Sequence, residues 1–138
     1  MIKKIIDTNI YIDLFLNPDL YEDIFLSEGT IYLSSVVLME LIAGAHAKEA
    51  RKSLKDLINF FKSVGRIIIP SEMDYEKAGE ILARLQKIKG YDLKKRDSIT
   101  NDCLIAASVR NIGGALYTQN KKDFQAIKDV FGFKVAFV

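Results

Sequence analysis

The chain has 138 residues, 20 of them basic and 18 acidic, for a formal net charge of +2. This length suits one domain with a single core, and so small a net charge does not by itself indicate nucleic-acid binding. The lone cysteine, Cys103, excludes an intramolecular disulfide and is predicted to be a small buried hydrophobe. Asp7 interrupts the apolar start of the chain, and no apolar run approaches the roughly 20 residues of a membrane span, so we expect a cytoplasmic protein without signal peptide or membrane contact.

Strands and helices are predicted to alternate along the chain. The first half is predicted to contain strand 3–7, helix 10–16, a short helix from Asp19, strand 30–33, a helix from Ser34 or Ser35 to Ala45, and helix 48–64. The second half is predicted to contain strand 67–69, helix 73–88 opened by a Ser71–Asp74 capping box, a polar connection 90–100, helix 102–112, strand 115–118, helix 121–131 and strand 134–138. Such alternation is typical of a parallel sheet covered by helices on both faces. We therefore predict one α/β domain over residues 1–138.

Three carboxylates lie in apolar segments that ionised groups normally avoid. Asp7 follows the first strand, where ligands of parallel sheets collect, although Asp-Thr-Asn is also typical of a simple turn. Glu40 is the sole charge between Val36 and Ala45, so it is paired inside the protein, faces a cleft, or belongs to an exposed stripe. Asp102 opens an apolar helix, and in the simpler interpretation Asn101 or Asp102 only caps that helix. If the three acids converge, a metal ion is the simplest compensation for their charge.

Oxygen-bearing side chains also follow the fourth predicted strand, from Thr118 to Asp123. Asn120 or Asp123 completes the acid cluster in one interpretation; in the other, both serve only the start of the last helix. Carboxylates without His or Cys company are hard oxygen ligands suited to Mg²⁺ or Mn²⁺. Two such ions can hold the attacking and leaving oxygens of a phosphodiester, a mechanism that requires no histidine.

Taken together, four segments resemble the PIN domain, a family of Mg²⁺- or Mn²⁺-dependent ribonucleases, and especially the VapC-type toxins of prokaryotic toxin–antitoxin pairs. The resemblance spans the whole chain. The segments are Ile6-Asp7-Thr8-Asn9, Ser34-Ser35-Val36-Val37-Leu38-Met39-Glu40-Leu41, Asn101-Asp102-Cys103-Leu104-Ile105-Ala106-Ala107-Ser108 and Thr118-Gln119-Asn120-Lys121-Lys122-Asp123-Phe124.

This resemblance implies that Asp7, Glu40 and Asp102 are metal-binding and catalytic acids, with Asn120 as a further metal ligand or Asp123 as a fourth catalytic acid. Supporting roles fall to Thr8, Asn9, Asn101 and Thr118. The implied reaction is hydrolysis of RNA to 5′-phosphate and 3′-hydroxyl products. The implied partners are a second copy of the chain and a VapB-type antitoxin, through which alone the protein would meet promoter DNA.

A basic segment from Arg84 to Asp97 is either a solvated helix end and loop or a patch that faces phosphates. The candidates for RNA backbone contacts are Lys94, Lys95, Arg96, Lys121 and Lys122.

The sequence can also be compared with the patterns expected for other functions. A haloacid-dehalogenase-type phosphotransferase also ends its first strand in Asp, but it expects a second Asp where this chain has Asn9. A response-regulator receiver domain expects an acceptor Asp in the third strand, which 67–70 lacks. A PIN-fold binding module that does not cleave, and a PIN-fold nuclease of RNA processing without an antitoxin, are the alternatives within the family.

Overall fold

Five parallel strands form one sheet at the centre of the computed structural model, which describes residues 2–96 and 98–138. They are β1 (Lys3–Ile6), β2 (Thr30–Ser34), β3 (Ile67–Ile68), β4 (Ala115–Thr118) and β5 (Lys134–Phe137). All five predicted strands and the α/β class are confirmed. Asp97, the acid that ends the basic segment, lies outside the described residues.

Seven α-helices surround the sheet in the described chain. They are α1 (Thr8–Leu16), α2 (Glu22–Leu26), α3 (Ser35–Gly44), α4 (Lys48–Ser63), α5 (Glu72–Lys89), α6 (Ile99–Asn111) and α7 (Lys121–Val130). The polar connection before α6 contains a short 3₁₀ helix, Leu93–Lys95. The Ser71–Asp74 capping box is present at the start of α5, as predicted. None of the described helices is long and apolar enough to cross a membrane.

Helix α6 begins earlier than predicted, and this corrects the expectation that Asn101 or Asp102 caps it. Its first residue is Ile99 and its N-cap is Ser98, so Asp102 lies inside the first turn. The backbone N–H of Asp102 donates to the carbonyl of Ser98 at 3.0 Å, as an ordinary helical residue does. The apolar pattern hides this start because Ser98, Thr100 and Asn101 are polar.

The strand order is β3-β2-β1-β4-β5, so the chain moves outward from β1 in one direction and resumes at β4 on its other side. In an open parallel sheet, the crevice at such a reversal is where ligands bind, at the carboxyl ends of the two strands. Asp7 follows β1 directly, and Thr118 is the last residue of β4. The backbone N–H of Asp7 donates to the Tyr117 carbonyl at 2.9 Å, which places the two strand ends side by side.

The core lies on both faces of the central strands. Consecutive residues Lys4, Ile5 and Ile6 of β1 are each at most 1% exposed, which requires helices above and below the sheet. Gly114 precedes β4 and packs against β1: a Cβ added there would lie 2.6 Å from Ile5 Cδ1 and 3.0 Å from the Lys3 carbonyl oxygen. A side chain at this position would therefore push β4 away from β1 and open the crevice.

Helix α3 is less buried than its apolar sequence predicts. Val36, Val37 and Leu41 face the core, whereas Met39 and Ile42 are more than half exposed. The expectation that an all-apolar helix is enclosed therefore fails for one side of α3. That side is an exposed apolar face, and Glu40 lies half-buried between the two sides.

Lys4 is a buried cation that does not serve the acids. Its Nζ donates to the Ile24 carbonyl, to the Ser27 carbonyl at 3.1 Å and to Ser27 Oγ at 3.0 Å. These contacts fasten the end of α2 to β1, since the last carbonyls of a helix have no partners within it. Lys4, the lysine nearest to Asp7 in sequence, therefore does not compensate the charge of Asp7.

Replacing Lys4 by Ala should destabilise the protein by about 3 kcal/mol, because it removes buried packing and leaves the α2 carbonyls without donors. Chemical denaturation with urea would measure the loss. Lys3→Ala is the matched control: its ammonium lies over the Tyr32 ring at 5.8 Å, a contact worth about 1 kcal/mol or less. Equal losses for the two variants would contradict a fastening role for Lys4.

Candidate active site

Asp7 is held at the crevice by both its backbone and its carboxylate. It is the N-cap of α1, and its Oδ1 accepts the Thr8 N–H at 2.8 Å. Its Oδ2 accepts the hydroxyl of Thr118, at the end of β4, at 2.6 Å. Burial nevertheless raises the pKa of Asp7 above its usual value, with these two hydrogen bonds acting in the opposite direction. The side chain of the neighbouring Asn9 is exposed and forms no hydrogen bond with the described residues, so Thr8 and not Asn9 orients this carboxylate.

Glu40 reaches the same crevice from α3. Its Oε1 accepts the hydroxyl of Thr8 at 2.7 Å, and its Oε2 accepts the side-chain amide of Asn101 at 3.5 Å. Thr8 therefore contacts both acids, Asp7 through its backbone and Glu40 through its side chain. Of the alternatives left open for Glu40, the exposed stripe is excluded.

Asp102 is the most electrostatically strained of the acids. Its carboxylate is buried, and Asn120 Nδ2 lies at 3.5 Å from its Oδ2, a long contact for a hydrogen bond. Burial raises the pKa of Asp102 to about 8, and the charges of Asp7, Glu40 and Asp123 add to the effect. The acids separated by 95 residues in sequence, Asp7 and Asp102, are thus close enough in space to influence each other.

Every donor to these three acids is neutral. The hydroxyls of Thr8 and Thr118 and the amides of Asn101 and Asn120 orient the carboxylates without cancelling their charge. Among the described residues, no Lys, Arg or His forms an ion pair with any of the three. The site is therefore a concentration of uncompensated negative charge, which is the electrostatic condition that a bound cation satisfies.

Asp123 differs from the three clustered acids because it forms an ion pair with Arg96. Its Oδ1 accepts the guanidinium of Arg96 at 3.1 Å and the Tyr91 hydroxyl at 2.9 Å. Its Oδ2 accepts the amide of Asn120 at 3.2 Å. Tyr91 was missed by sequence reasoning, because a tyrosine in a polar connection carries no signal of a partner 32 residues away.

Asn120 links the two groups of acids. It is the N-cap of α7, and its Oδ1 accepts the Asp123 N–H at 3.3 Å. Its Nδ2 lies toward both Asp102 and Asp123, the orientation that two carboxylates require of an amide. The Asn120 oxygen is therefore used by the helix, and its donor is used by the acids.

The donor chemistry of the site suits Mg²⁺ or Mn²⁺, because its ligands would be carboxylate oxygens with neutral hydroxyl and amide groups behind them. In the described part of the chain, however, no three His, Cys, Asp or Glu side chains lie close enough to coordinate one ion as they stand. Mutual repulsion separates like charges that lack a cation, so binding would have to draw the carboxylates inward. The residues fit such an ion in chemistry, and coordinating it would require the three carboxylates to approach one another.

The basic candidates divide into two sets. Lys95, Arg96 and Lys122 line a cleft of about 610 Å³ that also includes Tyr91 and Asp123. Lys94 and Lys121 are exposed and do not line it. Two other basic residues of the segment support the packing of α5 against α7: Arg84 donates to the Val130 carbonyl at 2.8 Å, and Lys89 pairs with Asp129 at 2.8 Å.

The fold and the order of the acid-bearing segments agree with one family: the PIN-domain model matches residues 4–130, and the chain belongs to the PIN-domain family. Within that family it is similar to VapC proteins. It is 31% identical over 134 residues to the tRNA(fMet)-specific endonuclease VapC of Shigella flexneri, across 92% of this chain and 93% of the relative.

Solved structures give the same result. The chain superposes on the DNA-bound VapBC complex of Salmonella typhimurium with a TM-score of 0.73 and 26% identity, covering 99% of this chain and 98% of the other. A VapBC2 complex of Rickettsia felis bound to a promoter DNA fragment matches with a TM-score of 0.73 and 26% identity, over 99% of each chain. The family resemblance found in the sequence is thereby confirmed.

The raised pKa of Asp102 predicts how the stability of the metal-free protein depends on pH. When a carboxyl has a higher pKa in the folded chain than in the unfolded chain, the protein becomes less stable as the pH rises through these two values. For Asp102 this range extends from about pH 4 to about pH 8. In EDTA near neutral pH, the free energy of unfolding of Asp102→Asn should therefore exceed that of the wild type by on the order of 2 kcal/mol. The variant should accordingly unfold at a higher temperature.

Thermal melts followed by circular dichroism, across this pH range, would measure the effect. Asp129→Asn is the control, because bonds from Lys89 and Gln125 lower the pKa of that exposed carboxyl and its loss removes no strain. Saturating Mg²⁺ should raise the melting temperature of the wild type and have little effect on Asp102→Asn. An Asp102→Asn protein less stable than wild type in EDTA would contradict the electrostatic account.

Proposed function

We propose that this protein is a metal-dependent endoribonuclease and the toxin of a VapBC-type toxin–antitoxin pair. The observation that supports it most is the cluster of Asp7, Glu40 and Asp102 at the switch point of the sheet, each oriented by neutral donors and none paired with a described cation. A structural role would favour compensated acids, since uncompensated buried charge is costly. The similarity to a tRNA-specific VapC endonuclease points to RNA as the substrate.

Asp7, Glu40 and Asp102 would hold Mg²⁺ or Mn²⁺ in this proposal. The ion would lower the pKa of the attacking water and stabilise the negative charge that develops on the leaving oxygen. Thr118 and Thr8 orient the carboxylate of Asp7, and the Thr8 hydroxyl and Asn101 hold that of Glu40. Glu40 would be the carboxylate that takes the proton of the water, because it is half-buried and open to solvent, whereas Asp7 and Asp102 are buried.

The reaction is hydrolysis of one phosphodiester bond. The water oxygen forms a bond to phosphorus, the bond from phosphorus to the 3′ oxygen breaks, and the 3′ oxygen takes a proton. The products are a 5′-phosphate and a 3′-hydroxyl. The existing hydrogen bonds suggest that Asn120 and Asp123 support the three acids and do not hold the ion themselves, since the Asn120 oxygen caps α7 and Asp123 is already paired with Arg96.

The partners follow from the same relatives. The two solved chains described above come from VapBC complexes, and both complexes are bound to DNA. We therefore propose a VapB-type antitoxin as the regulatory partner, a homodimer as the working state, and contact with promoter DNA only through the antitoxin. The exposed Met39 and Ile42 of α3 give the protein an apolar surface that a partner could cover. The proposed place of action is the cytoplasm, where RNA substrates and antitoxin are available.

Asp7→Asn should abolish RNA cleavage, with a loss of about a hundredfold or more, because an amide keeps the shape but removes a charge that the ion requires. Purified wild type and variant would be incubated with a labelled pool of tRNA, rRNA and mRNA fragments in Mg²⁺, in Mn²⁺ and in EDTA. Asp56→Asn, an exposed acid on α4, is the matched control and should cut like wild type. Equal cleavage by Asp7→Asn, or cleavage in EDTA, would place the activity elsewhere.

Expression in a prokaryotic host separates the toxin from a processing nuclease. The wild-type chain alone should arrest growth, and the Asp102→Asn chain should not, because the arrest requires the acid cluster. Co-expression of a small DNA-binding protein encoded directly upstream should restore growth and co-purify with the chain. Growth without arrest, combined with cleavage in vitro, would favour the RNA-processing alternative.

A further inference from the structure

A cleft whose charged side chains are mainly basic lies beside the acid cluster. Its lining consists of Lys89, Gly90, Tyr91, Asp92, Lys95, Arg96, Ser98, Lys122 and Asp123. It opens between the end of α5, the 3₁₀ helix and the start of α7. Its volume of about 610 Å³ is enough for a nucleotide-sized group.

Half of the six charged side chains that line this cleft are in ion pairs, and those are Lys89, Arg96 and Asp123. Arg96 is paired with Asp123 and lies over the Tyr91 ring at 4.7 Å. Lys89 is paired with Asp129, whereas Asp92 accepts only the neutral backbone N–H of Lys94 at 3.0 Å and keeps its negative charge. Lys95 and Lys122 are exposed and form no ion pair with the described residues. Lys95 and Lys122 therefore line the same cleft, one from the 3₁₀ helix and one from the start of α7, without an ion pair to a described residue.

The cleft is continuous with the acid cluster. The amide of Asn120 lies 3.5 Å from Asp102 on one side and 3.2 Å from Asp123 on the other, so one residue separates the two regions. A chain whose scissile phosphate lies at Asp102 must carry its next phosphates away over a neighbouring surface. Uncompensated acids repel those phosphates, whereas Lys95 and Lys122 attract them.

We propose that this cleft is a phosphate-binding subsite for the single-stranded RNA that the acid cluster cuts, with Lys95 and Lys122 as its contacts to the sugar–phosphate backbone. The proposal rests on the proposed nuclease function and narrows the five basic candidates to two. Asp123, Tyr91 and Arg96 form the rigid inner wall, because each contacts the other two. Lys94 and Lys121 contribute only general positive charge to the surface.

The test compares two double variants with the same change in net charge. Lys95→Ala/Lys122→Ala removes the cleft lysines, and Lys94→Ala/Lys121→Ala removes their exposed neighbours in sequence. Both are made in the Asp7→Asn background, so that a labelled single-stranded RNA is bound in Mg²⁺ without being cut. Fluorescence anisotropy would give the dissociation constant at several salt concentrations, and circular dichroism would verify folding.

Removal of the cleft lysines should weaken RNA binding about tenfold and reduce the slope of log affinity against log salt by about 1.4, as expected for two lost phosphate contacts on a single strand. The control pair should stay within about twofold of its parent. Equal losses for the two pairs would overturn the subsite in favour of a diffuse field. Binding of a labelled polyaspartate peptide that depends on Lys95 and Lys122, with RNA binding independent of them, would assign the cleft to an acidic protein segment and also overturn it.

This test can fail separately from the nuclease proposal. Cleavage is measured with the wild-type protein, and binding is measured with the variants in the Asp7→Asn background. If wild type cuts RNA and the two double variants bind alike, only the subsite is wrong. If wild type does not cut any RNA of the pool, but RNA binding depends on Lys95 and Lys122, the cleft stands as an RNA-binding site and the nuclease is wrong.

Discussion

The repulsion among Asp7, Glu40 and Asp102 is the constraint on which the rest of the site depends. Three buried or half-buried carboxylates share one crevice, and the groups that hold them are two threonine hydroxyls, two amides and a backbone N–H. Neutral donors set direction without removing charge, so the folded chain retains an electrostatic cost that a cation would relieve. The rise in the pKa of Asp102 to about 8 expresses that cost in the metal-free protein.

The sheet is what keeps the carboxylates together despite this cost. Parallel pairing of β1 with β4 places Thr118 beside Asp7, and the start of α1 then turns the Thr8 hydroxyl toward Glu40. Asp7 lies at the N-terminus of α1 and Asp102 in the first turn of α6, where partial positive charge from the helix dipole offsets part of the repulsion. The buried cation nearest in sequence, Lys4, is withdrawn to α2, so backbone dipoles and the apolar core stabilise an arrangement that ion pairs would neutralise.

The sequence predicts the fold well because its signals are local. Each strand is a short apolar run and most helices have clear ends, so element order, class and the capping box at Ser71 agree with the structure. The long-range contacts carry no local signal: Lys4 was not expected to fasten α2, Ser98 was not expected to cap α6, and Met39 gave no sign that it is exposed. The positions of Asp7, Glu40 and Asp102 at the crevice could be inferred, since strand ends and helix starts meet there. The pairing of Asp123 with Arg96 and Tyr91 could not.

The pairing of Asp123 with Arg96 explains how the negative acid cluster and the basic cleft can lie side by side. If Asp123 lacked a cation, its charge would act more strongly on the cluster and extend the repulsive region to the cleft lined by Lys95 and Lys122. Arg96 pairs with Asp123, and Tyr91 and Asn120 hold both of its oxygens, so its charge raises the pKa of Asp102 less than those of Asp7 and Glu40 do. The positive charges of Lys95 and Lys122 lie on the far side of Asn120 and Asp123 from the three acids. A polyanion needs both environments in sequence, one to accept its backbone and one to hold the ion at the bond that breaks. Asp123 therefore serves the site best as a boundary between them, and a fourth uncompensated acid at its position would work against substrate binding.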